Sequence, residues 1–442
     1  MESPTPPLGQ SAHPTILWDI VEEHFNEAET LFEQWEHALR SPKYNLAELG
    51  SRVERRIEAH LDGLVVGGRD VAARILEPEL QNASEPRRAI VAALALLAAE
   101  EEKAARRVIE AVCTAEGPLQ KALTRALVLS DLGRLDRMLL GRFRETKSEA
   151  EKAVFLEILT GRGVDPGENL RPCFASRNPQ LVAAAVKAAG RFGRREMLDI
   201  VDKLLRAEHR PTRPIALGAG LALGSTNAWK LCRELARTGR TDEADILLMI
   251  AILGRPEDHQ FLYAQLDNPK RTERILWNLG FCGTIQAGDA CLPHLQSENK
   301  RIAKAAAEAM AWIGGFDLNA DDFQAPTSEV EEDEILEASE ENEGEASLEL
   351  DGLDDLPAPN QEAIEKWWKE NRAVLPQDRR LVFGQPFSAE AMIHAIEAAP
   401  LWRRHGVALE VSIRTGGKRH VSTDAFSWRQ RRQLAGLAGM SL

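Results

Sequence analysis

Tyrosine is nearly missing from this 442-residue chain, with two copies, and aromatic residues together make up 5% of it. β-Branched residues are sparse through its middle. Strands draw on those residue types, so a sheet-rich fold is excluded. Ala, Leu, Glu and Arg stand in their place, and these are strong helix formers. The expected fold class is all-α.

Other absences narrow the function. The longest uninterrupted apolar run, Ala89 to Ala99, is far too short to span a bilayer. The opening MESPTPPLGQ lacks a basic region followed by an apolar stretch. The chain is therefore read as cytoplasmic, with no membrane partner. Its five cysteines, Cys113, Cys173, Cys232, Cys282 and Cys291, are scattered and contain no Cys-x-x-Cys, so they read as buried small hydrophobes rather than as a disulfide or zinc framework. The ten histidines form no His-Glu-x-x-His, and no Gly-x-Ser-x-Gly elbow is present. Thr415-Gly416-Gly417-Lys418 lacks the first glycine of a phosphate loop and any Ser or Thr after the lysine, so it reads as a turn. No catalytic residue, metal ligand or cofactor is assigned.

Charge is unevenly distributed. Sixteen Asp or Glu and no Lys or Arg lie between Asp321 and Asp355, enough to account for the whole formal charge of −14. From Glu362 onward the balance reverses, with thirteen basic residues against eight acidic. The acidic run lacks the apolar content to offset the entropy of ordering, so 317–360 is read as a disordered linker. It serves as a spacer, or it folds back on the basic end and screens it. That basic end interleaves Arg403, Arg404, Arg414, Lys418, Arg419, Arg429, Arg431 and Arg432 with Trp402, Phe426 and Trp428. Such a mixture can bind nucleic acid, but beside so acidic a neighbour it is read as protein-facing.

Ahead of the linker the dominant signal is a repeat. Short polar or proline-bearing steps recur at Glu85-Pro86, Gly117-Pro118, Ser148-Glu149, Asn178-Pro179, Arg210-Pro211, Thr241-Asp242, Asn268-Pro269 and Asn299-Lys300, about 27 to 32 residues apart. Behind them apolar residues keep a helical period, as in Leu181, Ala184, Ala185 and Ala188. Small residues on such a face let helices approach closely. Many runs end in glycine before a shorter second helix: Gly193 before Met197 to Leu205, Gly224 before Trp229 to Leu235, Gly254 before Phe261 to Leu266.

Stretches such as NPQLVAAAVKAAGRFG (Asn178 to Gly193) and ENKRIAKAAAEAMAWIGG (Glu298 to Gly315) resemble HEAT-like repeats, and the resemblance covers Gly67 to Gly315. It implies an α-solenoid of HEAT-like helix pairs. The expected organisation is an N-terminal helical cap over 1–66, a repeat array over 67–316, the acidic linker over 317–360 and a small C-terminal helical module over 361–442. The cap holds helices from Thr15 to Leu39 and from Asn45 to Leu64, the first with an aromatic stripe that either seals the array or docks a partner. In the last module Ala363 to Ala373 and Ser388 to Ala398 read as helices, and Pro400 to Gly416 as a ninth, degenerate repeat.

The whole layout, from ILWDIVEEHFNEAETLFEQWEHALRSP through LAELGSRVERRIEAHLDGLVVGG and the repeats to RRLVFGQP and WRQRRQL, resembles an uncharacterised proteobacterial family whose members accompany type VI secretion spike and tip proteins. The resemblance implies a non-catalytic scaffold or adaptor that loads effectors onto the spike, with other proteins as partners. The alternative is a HEAT-repeat enzyme, such as a lyase acting on a protein-bound substrate. The candidate protein-binding residues are Trp18, Trp35, Arg274, Trp277, Arg301 and Trp312; for Trp277 and Trp312 a core role competes with a surface one.

Overall fold

A computed structural model describes residues 16–205, 212–238, 244–326 and 351–439. Two polar steps, Arg210-Pro211 and Thr241-Asp242, and the stretch 327–350 lie outside them. Among the described residues the regular structure is almost wholly helical; the sheet is one hairpin, Leu381–Val382 paired antiparallel with Gln385–Pro386. No helix among them is long and apolar enough to cross a membrane.

The chain forms two compact units: Met1–Gln34 with Arg55–Leu135, and Trp35–Glu54 with Asp136–Leu442. These divisions do not coincide with the boundaries expected from sequence. In the first unit, Pro86–Ala98 is the central helix, with every residue from Ala89 to Leu97 buried. It packs against Arg55–Val66, Glu102–Thr114 and Gly117–Leu129. At its start Arg88 reaches Glu29 at 3.1 Å and Glu79 at 3.0 Å, with its guanidinium 4.4 Å from the ring of Phe25.

In the second unit Glu149–Arg162 packs on Pro179–Arg191, which packs on Arg213–Ala222; Ala244–Leu253 likewise packs on Thr272–Cys282, which packs on Lys300–Gly314. Further helices, Leu198–Leu205, Thr226–Thr238, Pro256–Tyr263 and Ile285–Cys291, alternate with them. Local chemistry sets these boundaries. Asn178 accepts from the backbone N–H groups of Gln180 and Leu181, and Asn299 from those of Arg301 and Ile302, satisfying donors that the first helical turn leaves open. Gly193 and Gly283 sit at φ +61° and +62°, the left-handed conformation that closes a helix. Gly254 does not adopt it. That position is small for another reason: a Cβ there would lie 2.2 Å from the Ile250 carbonyl oxygen.

The segment after the acidic stretch packs onto the repeat helices. Leu401–Arg414 does not follow Lys300–Gly314 as one more unit, as the ninth-repeat reading had it; it contacts both Arg213–Ala222 and Ala244–Leu253. Arg403 at one end bonds to Trp277 and Glu308, and Arg414 at the other donates to the Ile252 carbonyl at 3.1 Å. Periodicity marks a helix but not whether it stacks end-on or lies across its neighbours.

Both ends of the expected linker are ordered. Ala325 N–H donates to the Ala358 carbonyl at 2.8 Å and Asn360 N–H to the Phe323 carbonyl at 2.7 Å. Leu353 and Leu356 are buried. Asp354 pairs with Arg301 and Asp355 with Lys43, so these two carboxylates meet the repeat helix and the N-terminal segment rather than the basic C-terminal residues.

Several histidines are held neutral. Burial lowers the pKa of His259 and His294, and desolvation with the neighbouring Arg191 and Lys187 holds His420 down to about 3. The unfolded chain protonates these groups near 6.5, so it binds more protons than the folded one as pH falls below that value. Stability is therefore expected to be complete above about pH 6.5 and to decline as pH drops toward 3. Urea midpoints measured across that range check this, with His420→Gln giving a shallower decline.

Candidate protein-binding cavity

Arg403 is the centre of a polar cluster in the core of the second unit. Its side chain is 0% exposed, and it donates to Glu308 Oε1 at 2.8 Å, makes a second bond to the other carboxylate oxygen, and donates to the Trp277 carbonyl at 2.6 Å. The guanidinium lies 4.8 Å from the ring of Trp277, 4.7 Å from Phe281, 5.4 Å from Trp312 and 5.9 Å from Trp402. A buried charge is tolerated only when paired and hydrogen-bonded, and here the carboxylate, a carbonyl and four ring faces meet that demand. Gly280 makes the room: a Cβ there would lie 2.8 Å from the guanidinium nitrogens.

Two further carboxylates fasten the C-terminal segment. Glu410, 1% exposed, takes both Arg380 and Arg414. Glu54, 2% exposed, accepts from Trp35 Nε1 at 2.9 Å and from the Ser427 backbone N–H at 2.9 Å, placing negative charge at the first turn of Ser427–Ala435. The Trp35 ring also packs at a tilt against Phe426, 4.7 Å between centroids.

Beside the Arg403 core opens a cavity of about 440 Å³. Its walls come from three places: the 42–48 segment entering the short Leu46–Glu48 helix, residues 311–319 at the end of Lys300–Gly314, and the tip of the Leu381–Val382 hairpin with the start of Leu401–Arg414. Tyr44, Trp312, Phe316, Phe383 and Trp402 supply aromatic surface. Trp402 is 2% exposed and its buried Nε1 has no hydrogen-bond partner. Apolar walls with a few polar groups are the usual make-up of a binding pocket.

Phe383 is held at φ +48°, a conformation that bulky residues avoid. With Gly384 at φ +73° it forms a two-residue hairpin turn needing positive φ at both positions, where Asn-Gly is the favoured pair. The phenyl ring instead packs at a tilt against Trp312, 5.6 Å between centroids, and lines the cavity. Gly384 N–H donates to the Trp312 carbonyl at 3.2 Å, and a Cβ on Gly315 would strike the Gly384 Cα at 2.7 Å. The turn is pinned where the repeat helix ends.

The structure sorts the six sequence candidates. Trp35, Trp277 and Trp312 are 0%, 1% and 3% exposed and pack the chain's own interior, so the reading of them as a surface for a separate partner gives way. The cause is the C-terminal segment, which supplies Phe426, Arg403 and Phe383 to cover them. Trp312 alone of the six also lines the cavity. Trp18 is half-buried under the Arg74 guanidinium, 4.1 Å away, and belongs to the other unit. Arg301 is engaged by Glu273 at 2.8 Å and by Asp354. Arg274 is half-buried, and its carbonyl accepts from Asn278 Nδ2 at 2.8 Å. Arg403 and Arg404 are fully buried, so the basic cluster considered for nucleic acid is partly turned inward.

Sequence reasoning missed Tyr44, Glu308 and Phe383. The signal for Phe383 was present: Phe383-Gly384 directly after the apolar pair Leu381-Val382 is a two-residue hairpin turn with the wrong first residue. Among the described residues no group of three or more His, Cys, Asp or Glu could hold a metal ion. Burial pushes the Cys282 thiol up to about 12, far from the reactive range. No family model matches the chain, and no curated protein matches it.

Proposed function

We propose that this chain is a non-catalytic protein-binding scaffold, an α-solenoid of HEAT-like helix pairs whose C-terminal segment completes a recognition cavity at the last repeat helix. Consecutive packing of alternate helices, with a further helix between successive members, supports the solenoid reading. The observation that carries the function is Phe383. Backbone strain of about 1–3 kcal/mol at such a residue persists where the site has a use for it. Here the strained ring lines a cavity of binding-site size. The partners proposed are type VI secretion spike, tip or effector proteins, on the strength of the family resemblance.

Phe383→Asn tests this reading. Relief of strain offsets lost ring contacts of about 0.5–1.5 kcal/mol, so the variant should unfold within about 1 kcal/mol of wild type. Capture of spike, tip or effector proteins by the tagged chain from its native host should nevertheless fall at least about tenfold, the equivalent of about 1.4 kcal/mol. Undiminished capture of those proteins by a stable Phe383→Asn chain would remove the cavity from the account. Capture of no secretion component while those genes are expressed would remove the partner class.

A further inference from the structure

Carboxylates outnumber cations around the cavity. Glu48, Glu308 and Asp317 line it with Lys43; Glu308 is paired with Arg403, Glu48 lies 3.6 Å from Arg52 and Lys43 lies 3.8 Å from Asp355, so the excess is the Asp317 carboxylate. Aromatic faces together with excess negative charge select a cation, because each ring presents a negative face. The same walls already demonstrate the preference: Trp312 and Trp402 carry the Arg403 guanidinium on the core side, and Glu308 pairs with it there. Arginine suits such a site better than lysine, since its planar, weakly hydrated group stacks on rings and forks onto carboxylates.

We propose that the cavity bounded by Tyr44, Trp312, Phe316, Phe383 and Trp402 binds an arginine side chain of a partner polypeptide. The inference rests on the scaffold reading and names what the cavity recognises. The probe is acetyl-Gly-Arg-Gly-amide, titrated into the full chain at low ionic strength and followed by tryptophan fluorescence. The neutral counterpart carries citrulline in place of arginine. Glu48→Gln with Asp317→Asn removes charge at the mouth while keeping the hydrogen bonds these side chains make to the backbone of Asn45 and Asn319.

Saturable binding of the arginine peptide is expected, at least about tenfold tighter than the citrulline peptide. It should weaken several-fold in the double variant and with added salt. Equal binding of the two peptides would overturn the cation preference and leave the cavity as a docking site. Failure of the arginine peptide to bind, with Phe383→Asn still losing the full partner, would overturn the ligand class alone. The same failure with a partner-competent Phe383→Asn chain would overturn the ligand class and the cavity together.

Discussion

Arg403→Ala is expected to destabilise the second unit by about 3–5 kcal/mol, because it leaves the Glu308 carboxylate buried without its countercharge. Glu308 is 6% exposed. The truncation also empties the space between four aromatic rings. Stability is a difference of large terms, so a loss of this size is a large fraction of the total. Replacing both partners by apolar residues of similar size, Arg403→Met with Glu308→Leu, should recover most of it, since a buried ion pair contributes little net stability once both desolvation penalties are removed. Denaturant titration of the two single variants and the double gives the coupling. A single Arg403→Ala cost below about 1 kcal/mol would mean that the pair is solvated and the C-terminal helix is not seated as described.

The second large effect falls on Gly283. Its φ of +62° already costs an L-residue about 1–2 kcal/mol, and a Cβ would sit 2.0 Å from the Leu381 carbonyl oxygen. Leu381 N–H meanwhile donates to the Gly283 carbonyl at 2.7 Å. Gly283→Ala must therefore push the hairpin away from the helix end and break that bond. A loss of about 3 kcal/mol or more is expected, with the hairpin at Arg380 becoming sensitive to trypsin. Gly224 is the control, at φ +82° with nothing within 4 Å of where a Cβ would sit. Gly224→Ala should cost only the backbone strain, about 1–2 kcal/mol. Equal losses in the two variants would show that the hairpin contributes nothing to the stability of the helix end.

These glycines illustrate what the sequence made legible. Gly193 read as a helix stop, and it is one. Its second task was invisible: the Gly416-Gly417 turn comes within 2.4 Å of where its Cβ would be. Gly283 and Gly315 receive the hairpin in the same manner. Local chemistry, namely the Asn178 and Asn299 caps, the small-residue faces and the scarcity of strand formers, was readable because it acts within a few residues. The cavity was not, because its walls join Tyr44, Trp312 and Phe383 across more than three hundred residues of chain. Trp35, Trp277 and Trp312 drew notice as large apolar side chains, yet the segment that covers them follows an acidic stretch that read as a separator. The ends of that stretch carry Leu353, Leu356 and Phe323, the apolar positions that order it.

Hydrogen exchange of the chain, alone and bound to its captured partner, tests the central claim most directly. Binding at the cavity predicts added protection at 42–48, at 311–319 and at the hairpin tip 383–384, with little change over Glu149–Arg162 and Pro179–Arg191. Protection concentrated on those earlier helices, with the three cavity segments unchanged, would contradict it.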